Sequence, residues 1–170
     1  TRMRRGITQE RTEALVNAIR ETVPGIAIRT TLISGFPGET QEDHDDNLRW
    51  IDRMRFDRLG AFTYSHEEQT HAFTMDDDVP AEVKEQRAQE IMELQGGISL
   101  ELNQAKVGSV FRVLVDKAEG GHYIARTEFD SPDVDNEVLI PTKDNYLRVG
   151  DFAEVRITEA REHELLAVPV

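Results

Sequence analysis

Apolar residues recur at helical spacing in the first part of the chain and at alternate positions in the last part. Leu15, Val16, Ile19 and Val23 fall on one stripe behind Thr8, a residue type that caps helices, and Pro24-Gly25 ends the pattern. The β-branched run at 26–34 predicts a strand, bounded by glycine on both sides. Phe36-Pro37-Gly38-Glu39 suits a type II turn, with proline presetting φ at its second place and glycine accepting positive φ at its third. Thr40 then caps a second helix, with Asp43 in the place of a capping-box acid and Leu48, Ile51 and Met54 along one face beside Trp50. A second strand follows at 58–65. Helix, strand, helix, strand implies parallel pairing, yet two strands cannot make a stable parallel sheet covered on both faces, so residues 1–75 read as the end of something larger.

Behind the acidic run Asp76-Asp77-Asp78, Pro80 opens a long helix carrying Val83, Ala88, Ile91, Met92, Ile98, Leu102 and Ala105. Gly96-Gly97 sits inside it. Each glycine costs a helix interior about 1 kcal/mol relative to alanine, which predicts a kink or break there. From Val107 the period becomes two. "VGSVFRVLVD", "GHYIARTEFD", "EVLIP", "DFAEVRITEA" and "ELLAVPV" read as five short strands, with turns at Glu119-Gly120-Gly121 and Val149-Gly150-Asp151. The expected fold is therefore α/β followed by all-β: an α/β part over 1–75, a connecting helix over 76–105, and a small five-stranded antiparallel barrel of the oligonucleotide-binding type over 106–170.

Charge narrows the partners. The 170 residues carry a net charge of −13, with 12 Lys/Arg against 19 Asp/Glu over residues 1–99 and 8 against 14 over residues 100–170. Phosphate contacts need clustered cations, so nucleic acid is the less favoured partner and a basic protein the more favoured one. Arg2, Arg4 and Arg5 are the exception and read as a solvated end. The chain has no cysteine, so it has no thiolate for an iron–sulfur cluster or a zinc site. No apolar run approaches the roughly 20 residues that span a bilayer, and no signal peptide opens the chain; a soluble, cytoplasmic protein is expected.

Among candidates for chemistry, the turn from Gly35 to Thr40 and the second strand end at Tyr64-Ser65 stand out, because both fall on one rim of a parallel barrel, where ligands bind. His66 and His71 beside Glu67 and Glu68 read as a solvated loop rather than a metal site. Glu42, Asp43, Asp45 and Asp46 suit the positive end of a helix dipole. Ser65 beside His66 carries no weight as a triad in a chain this rich in acids.

Five segments, "MRRGIT", "PGIAIRTTLISGFPGET", "RLGAFTYSHEE", "VPAEVKEQRAQEIMELQ" and "NQAKVGSVFRVLVD", resemble in that order the C-terminal half of the radical S-adenosylmethionine methylthiotransferases. Within that family "EFDSPDVDNEVLIP" is similar to the branch that methylthiolates an aspartate of a small-subunit ribosomal protein; tRNA-modifying relatives usually carry a basic segment there. The resemblance implies that residues 1–75 are the C-terminal part of the radical barrel and 106–170 a TRAM domain. It places Gly35, Phe36, Pro37, Gly38 and Glu39 at the S-adenosylmethionine end of the barrel, with Arg29, Thr31, Tyr64 and Ser65 as further candidates for that pocket. S-adenosylmethionine and two 4Fe-4S clusters are the cofactors it implies for a full-length parent, with none held by this chain alone. Asp130, Asp133, Asp135 and Glu137, stiffened by Pro132, are the expected substrate-facing acids, toward a basic small-subunit ribosomal protein and the ribosome. "EEQT" at 67–70 departs from the family's usual "EGT" or "EGA", as does Gly96-Gly97. Three classes stay open: a substrate-recognition half of an enzyme, modifying either protein or tRNA; a noncatalytic RNA-binding module, for which Phe111, Tyr123 and Phe129 are the only visible stacking residues; and a scaffold. A CxxxCxxC motif upstream of Thr1 would decide for the first.

Overall fold

Thr8 and Thr40 both cap helices. In the computed structural model, which describes residues 3, 6–132 and 134–170, the Thr8 hydroxyl accepts the Arg11 amide at the head of α1 (Gln9–Thr22). Thr40 and Asp43 form the reciprocal capping box of α2 (Gln41–Met54). Between them β1 (Arg29–Ser34) pairs in parallel with β2 (Arg58–Thr63), in the register Arg29 with Arg58 through Ser34 with Thr63. A short 3-10 turn (His71–Thr74) precedes α3 (Ala81–Gln104), and β3 (Val110–Glu119), β4 (His122–Thr127), β5 (Glu137–Pro141), β6 (Phe152–Ala160) and β7 (Glu164–Pro169) follow. Arg2, Arg4, Arg5 and Asp133 lie outside the described residues.

The chain divides into two compact units, Thr1–Gln95 and Gly96–Val170, so the boundary falls inside α3 rather than at either of its ends. In the first unit Trp50, Ile51, Met54, Phe56, Leu59 and Ile91 are buried, and the Trp50 and Phe56 rings lie 5.3 Å apart. The Arg20 guanidinium donates to the carbonyls of Met54 (2.8 Å) and Arg55 (2.9 Å), tying α1 to the last turn of α2. One face of the two-stranded sheet is left open. Arg29, Thr31 and Ile33 are exposed on it, as is Phe62, which pairs with Ile33.

In the second unit the strands close in the order β3-β4-β5-β7-β6 around Val113, Val115, Val138, Ile140, Val155, Ile157 and Leu165. Burying each such side chain contributes about 1.5–3 kcal/mol. Two expectations need correcting. The barrel is mixed rather than antiparallel, because β5 and β7 pair in parallel from Glu137 with Glu164 to Leu139 with Leu166. Parity requires this: strand directions cannot alternate all the way round a closed ring of five. The second correction concerns Gly96-Gly97, across which α3 runs unbroken. A methyl built on Gly96 would meet the Glu162 carboxylate at 3.4 Å, while one on Gly97 would meet nothing within 4 Å. A side chain at Gly96 would thus meet the β6–β7 turn only at ordinary contact distance, through the flexible end of Glu162. Asn103, fully buried one stripe along, donates to the Arg161 (2.9 Å) and Glu162 (3.1 Å) carbonyls, and Ser99 donates to Glu162 at 2.6 Å. These contacts outweigh the propensity cost of the glycines.

Candidate functional site

Parallel register brings the two strand ends of the first unit together. The Tyr64 amide donates to the Ser34 carbonyl (2.8 Å), and the Phe36 ring meets the Tyr64 ring edge-on at 5.4 Å. The turn has the expected geometry: the Glu39 amide donates to the Phe36 carbonyl (2.9 Å) and Gly38 sits at φ +78°. Phe36, Pro37, Gly38 and Glu39 line a groove of about 340 Å³ together with Ile33 from the open sheet face. Arg29 and Thr31 share that face, but Arg29 lies four residues from Ile33, roughly 13 Å along the strand. Ser65 turns away, its hydroxyl donating to Glu67 at 2.5 Å, and so does not join the groove.

The Gly35, Gly38 and Glu39 amides are bonded within the chain rather than offered to a ligand, contrary to what a strand–turn–helix junction suggests. The Gly35 amide donates to Glu39 Oε2 (3.0 Å) and the Gly38 amide to Asp78 Oδ1 (2.7 Å). Arg87 donates to Glu39 Oε1 (2.9 Å) and to the Glu39 carbonyl (3.1 Å). Lys84 runs beneath Gly35 so closely that a methyl there would come within 2.2 Å of its Cγ. Its ammonium is held by Asp77 (2.5 and 2.7 Å) and lies 5.0 Å from the Tyr64 ring centre. Asp77, Asp78, Lys84 and Arg87 escaped sequence reasoning. The acidic run showed only as charge, and no periodicity marks the two cations as turned toward residues nearly 50 positions earlier.

Below the turn, buried His44 on α2 meets Glu90 on α3 at 2.7 Å. Hydrogen bonds from the Gln86 amide first, then from His44, hold the Glu90 carboxyl below its ordinary value. The Tyr64 hydroxyl contacts His66 Nδ1 (3.1 Å), and the His66 ring lies 4.6 Å from that of Phe73. Among the described residues no three His, Asp or Glu side chains converge as a metal site.

In the second unit the acidic loop is partly structural. Asp130 is buried and accepts from the Thr127 hydroxyl at 2.5 Å, so it closes the turn after β4 rather than standing on an exposed rim. Asp135 accepts the Ser131 amide (2.8 Å). Asp135 and Glu137 do converge, in a pocket of about 260 Å³ beside Pro132, Lys117 and Asp116. Asp116 was not singled out by the sequence; it faces Arg126 at 3.4 Å. Phe111 and Tyr123 pack against the barrel core and are no stacking platform. Phe129, Tyr146 and Phe152 are exposed aromatics of this unit, and the Arg112 guanidinium lies 4.2 Å from the Phe152 ring centre.

The family model of the TRAM domain matches residues 107–170, the segment that closes into this barrel of mixed strands. Over nearly its whole length the chain is similar to proteins named "Ribosomal protein uS12 methylthiotransferase RimO". That of Christiangramia forsetii is 56% identical over 168 residues, 99% of this chain and 37% of the relative. The Cytophaga hutchinsonii protein is 56% identical over 163 residues, covering 96% and 37%. The Flavobacterium johnsoniae protein is 56% identical over 167 residues, covering 98% and 38%. The chain thus spans less than two-fifths of the length of these relatives. No helix among the described residues is long and apolar enough to cross a membrane.

Proposed function

We propose that this chain is the substrate-recognition half of a cytoplasmic methylthiotransferase that adds a methylthio group to the β-carbon of an aspartate in a small-subunit ribosomal protein. The observation that carries this reading is the open face of the β1–β2 sheet. Exposed Ile33 and Phe62 belong to a parallel sheet of only two strands, which suits the last strands of a larger radical S-adenosylmethionine barrel. Both strands end at one rim, where the groove of Phe36, Gly38 and Glu39 is bordered by aromatic and glycine surface. The Phe36 ring and the carboxylates of Glu39, Asp43 and Asp46 in the groove lining suit a cofactor with a planar base and a positive charge, such as S-adenosylmethionine. When bound, S-adenosylmethionine supplies radical chemistry, and Gly35 to Glu39 would bind and orient it. The two 4Fe-4S clusters do not fit residues of this chain, which has no cysteine to ligate them. They belong to the parent's upstream part.

Asp135, Glu137 and Asp116 form the partner-facing acids of the TRAM barrel. Asp130, buried against Thr127, keeps that loop in shape. Carboxylates so placed raise the association rate of a basic protein and repel RNA. In the full-length parent, Asp135→Asn with Glu137→Gln should slow association with the small-subunit ribosomal protein at low salt, and the difference should shrink as ionic strength rises. A double variant that associates at the wild-type rate at low salt would refute the assignment. A second reading, RNA binding by the barrel, draws on the Arg112–Phe152 pair. In the same assay, preference of the parent for a tRNA anticodon stem-loop over the protein would favour it.

A further inference from the structure

Two glycines at positive φ, Gly35 at +74° and Gly38 at +78°, bracket the candidate cofactor turn. Glycine gives a backbone this shape without strain but also leaves it the greatest freedom to lose, so something outside the turn must hold it. Local hydrogen bonding supplies part of the hold, through the Glu39 amide on the Phe36 carbonyl and the α2 capping box. The remainder comes from Asp78, which takes the Gly38 amide, and from the first two turns of α3. Arg87 and Glu39 form an ion pair whose side chains are only 7% and 10% exposed, and the guanidinium also reaches the Glu39 carbonyl. The second Glu39 oxygen takes the Gly35 amide. One carboxylate is therefore shared between a cation on α3 and Gly35, the residue that follows β1. An exposed pair would contribute little, whereas removing one partner of a buried pair leaves an uncompensated charge.

We infer that Arg87 is a positioning residue: through Glu39 it fixes the backbone of the turn at 35–39 in the shape that receives the cofactor. The inference rests on the reading of that turn as the S-adenosylmethionine rim. Arg87 does not touch the groove itself. It acts by keeping the Gly35 amide folded inward, which leaves Phe36 and Gly38 to form the ligand-facing surface. Lys84 complements it from the same helix face by filling the space under Gly35. A substitution of Arg87 should therefore loosen the turn and weaken cofactor binding together. Lysine at this place keeps one charged bond to Glu39 but loses the fork, so it should rescue only in part.

The test uses the reconstituted full-length parent as wild type, Arg87→Met, Arg87→Lys and Glu39→Gln. Hydrogen-exchange mass spectrometry follows peptides covering residues 32–39, and calorimetric titration measures S-adenosylmethionine affinity. Arg87→Met should accelerate exchange in that segment roughly ten- to hundredfold, as expected for loss of a charge-assisted hydrogen bond, with roughly tenfold weaker cofactor binding. Arg87→Lys should fall between it and wild type. Glu39→Gln, which keeps an acceptor for Arg87 but presents an amide nitrogen to Gly35, should reproduce the faster exchange. If Arg87→Met fails to fold, Arg87→Lys and Glu39→Gln carry the comparison. Unchanged exchange in the folded variants overturns the positioning role, whatever the affinity. Faster exchange with unchanged affinity overturns the placement of the turn against the cofactor, and with it the role of Arg87 toward that cofactor.

Discussion

Asn103→Ala should be among the costliest single changes in the second unit, and its magnitude follows from the partners it strands. The side chain is fully buried. Its amide donates to the Arg161 and Glu162 carbonyls, while its oxygen accepts from Asn136 Nδ2 (2.7 Å) and Lys106 Nζ (3.0 Å). After truncation Glu162 keeps the Ser99 hydroxyl as a donor and Lys106 reaches water, but the Arg161 carbonyl and the Asn136 amide lose the bonds that Asn103 gave them. Each group left unsatisfied costs about 1–3 kcal/mol, so a total of roughly 2–6 kcal/mol is expected, read as a shift in urea unfolding followed by far-UV circular dichroism. Asn103→Asp separates hydrogen bonding from volume. It retains the acceptor and the size but sets a carboxylate oxygen against two carbonyls, so it should cost at least as much as alanine at pH 7. Burial raises that carboxyl's pKa, and its protonated form can donate. Its deficit relative to wild type should therefore shrink as pH falls through the raised value. A loss below about 0.5 kcal/mol for Asn103→Ala would refute the account of how the β6–β7 turn is tied to α3.

Two further predictions test glycines that the sequence left ambiguous. Gly97→Ala should stabilise the chain by about 0.5–1 kcal/mol in thermal or urea unfolding, because the site is exposed, helical and empty around a built methyl; destabilisation would mean that the helix needs a glycine there. Gly38→Val in the full-length parent should weaken S-adenosylmethionine binding more than it lowers the melting temperature, since a β-branched residue at φ +78° costs roughly 1–3 kcal/mol of local strain at the groove; unchanged affinity in a folded variant would show the turn to be purely architectural.

Most of the fold was legible because its signals are local. Capping at Thr8 and Thr40, the type II turn and the change from helical to alternating periodicity all lie within four residues of the groups they organise. Strand ends were overextended. The first strand begins at Arg29 rather than 26, and the second stops at Thr63, since β-branched composition continues beyond the paired register. Gly96-Gly97 misled for the opposite reason: a propensity that predicts a break was overridden by packing against the β6–β7 turn some 60 residues later. The mixed pairing of the barrel is implicit in five strands that close, because an odd ring cannot alternate throughout.

The site was legible only where its chemistry is near in sequence. Gly35 to Glu39 could be found from turn rules, but the hold on that turn joins residues 40 and 48 positions apart, Gly38 to Asp78 and Glu39 to Arg87. Nothing in a helical repeat distinguishes a lysine or arginine that solvates a surface from one turned under a glycine, because both occupy the same kind of position on the helix. The acidic loop shows the same ambiguity from the other side. Asp130, Asp135 and Glu137 look alike as charges, yet the Thr127 hydroxyl draws Asp130 into the turn after β4, while Asp135 and Glu137 meet in a pocket with Asp116 from β3. A run of carboxylates therefore separates into fold-holding and partner-facing members only through the donors that the folded chain supplies, which is why Asp130 is the member of that loop least suited to meet a basic partner.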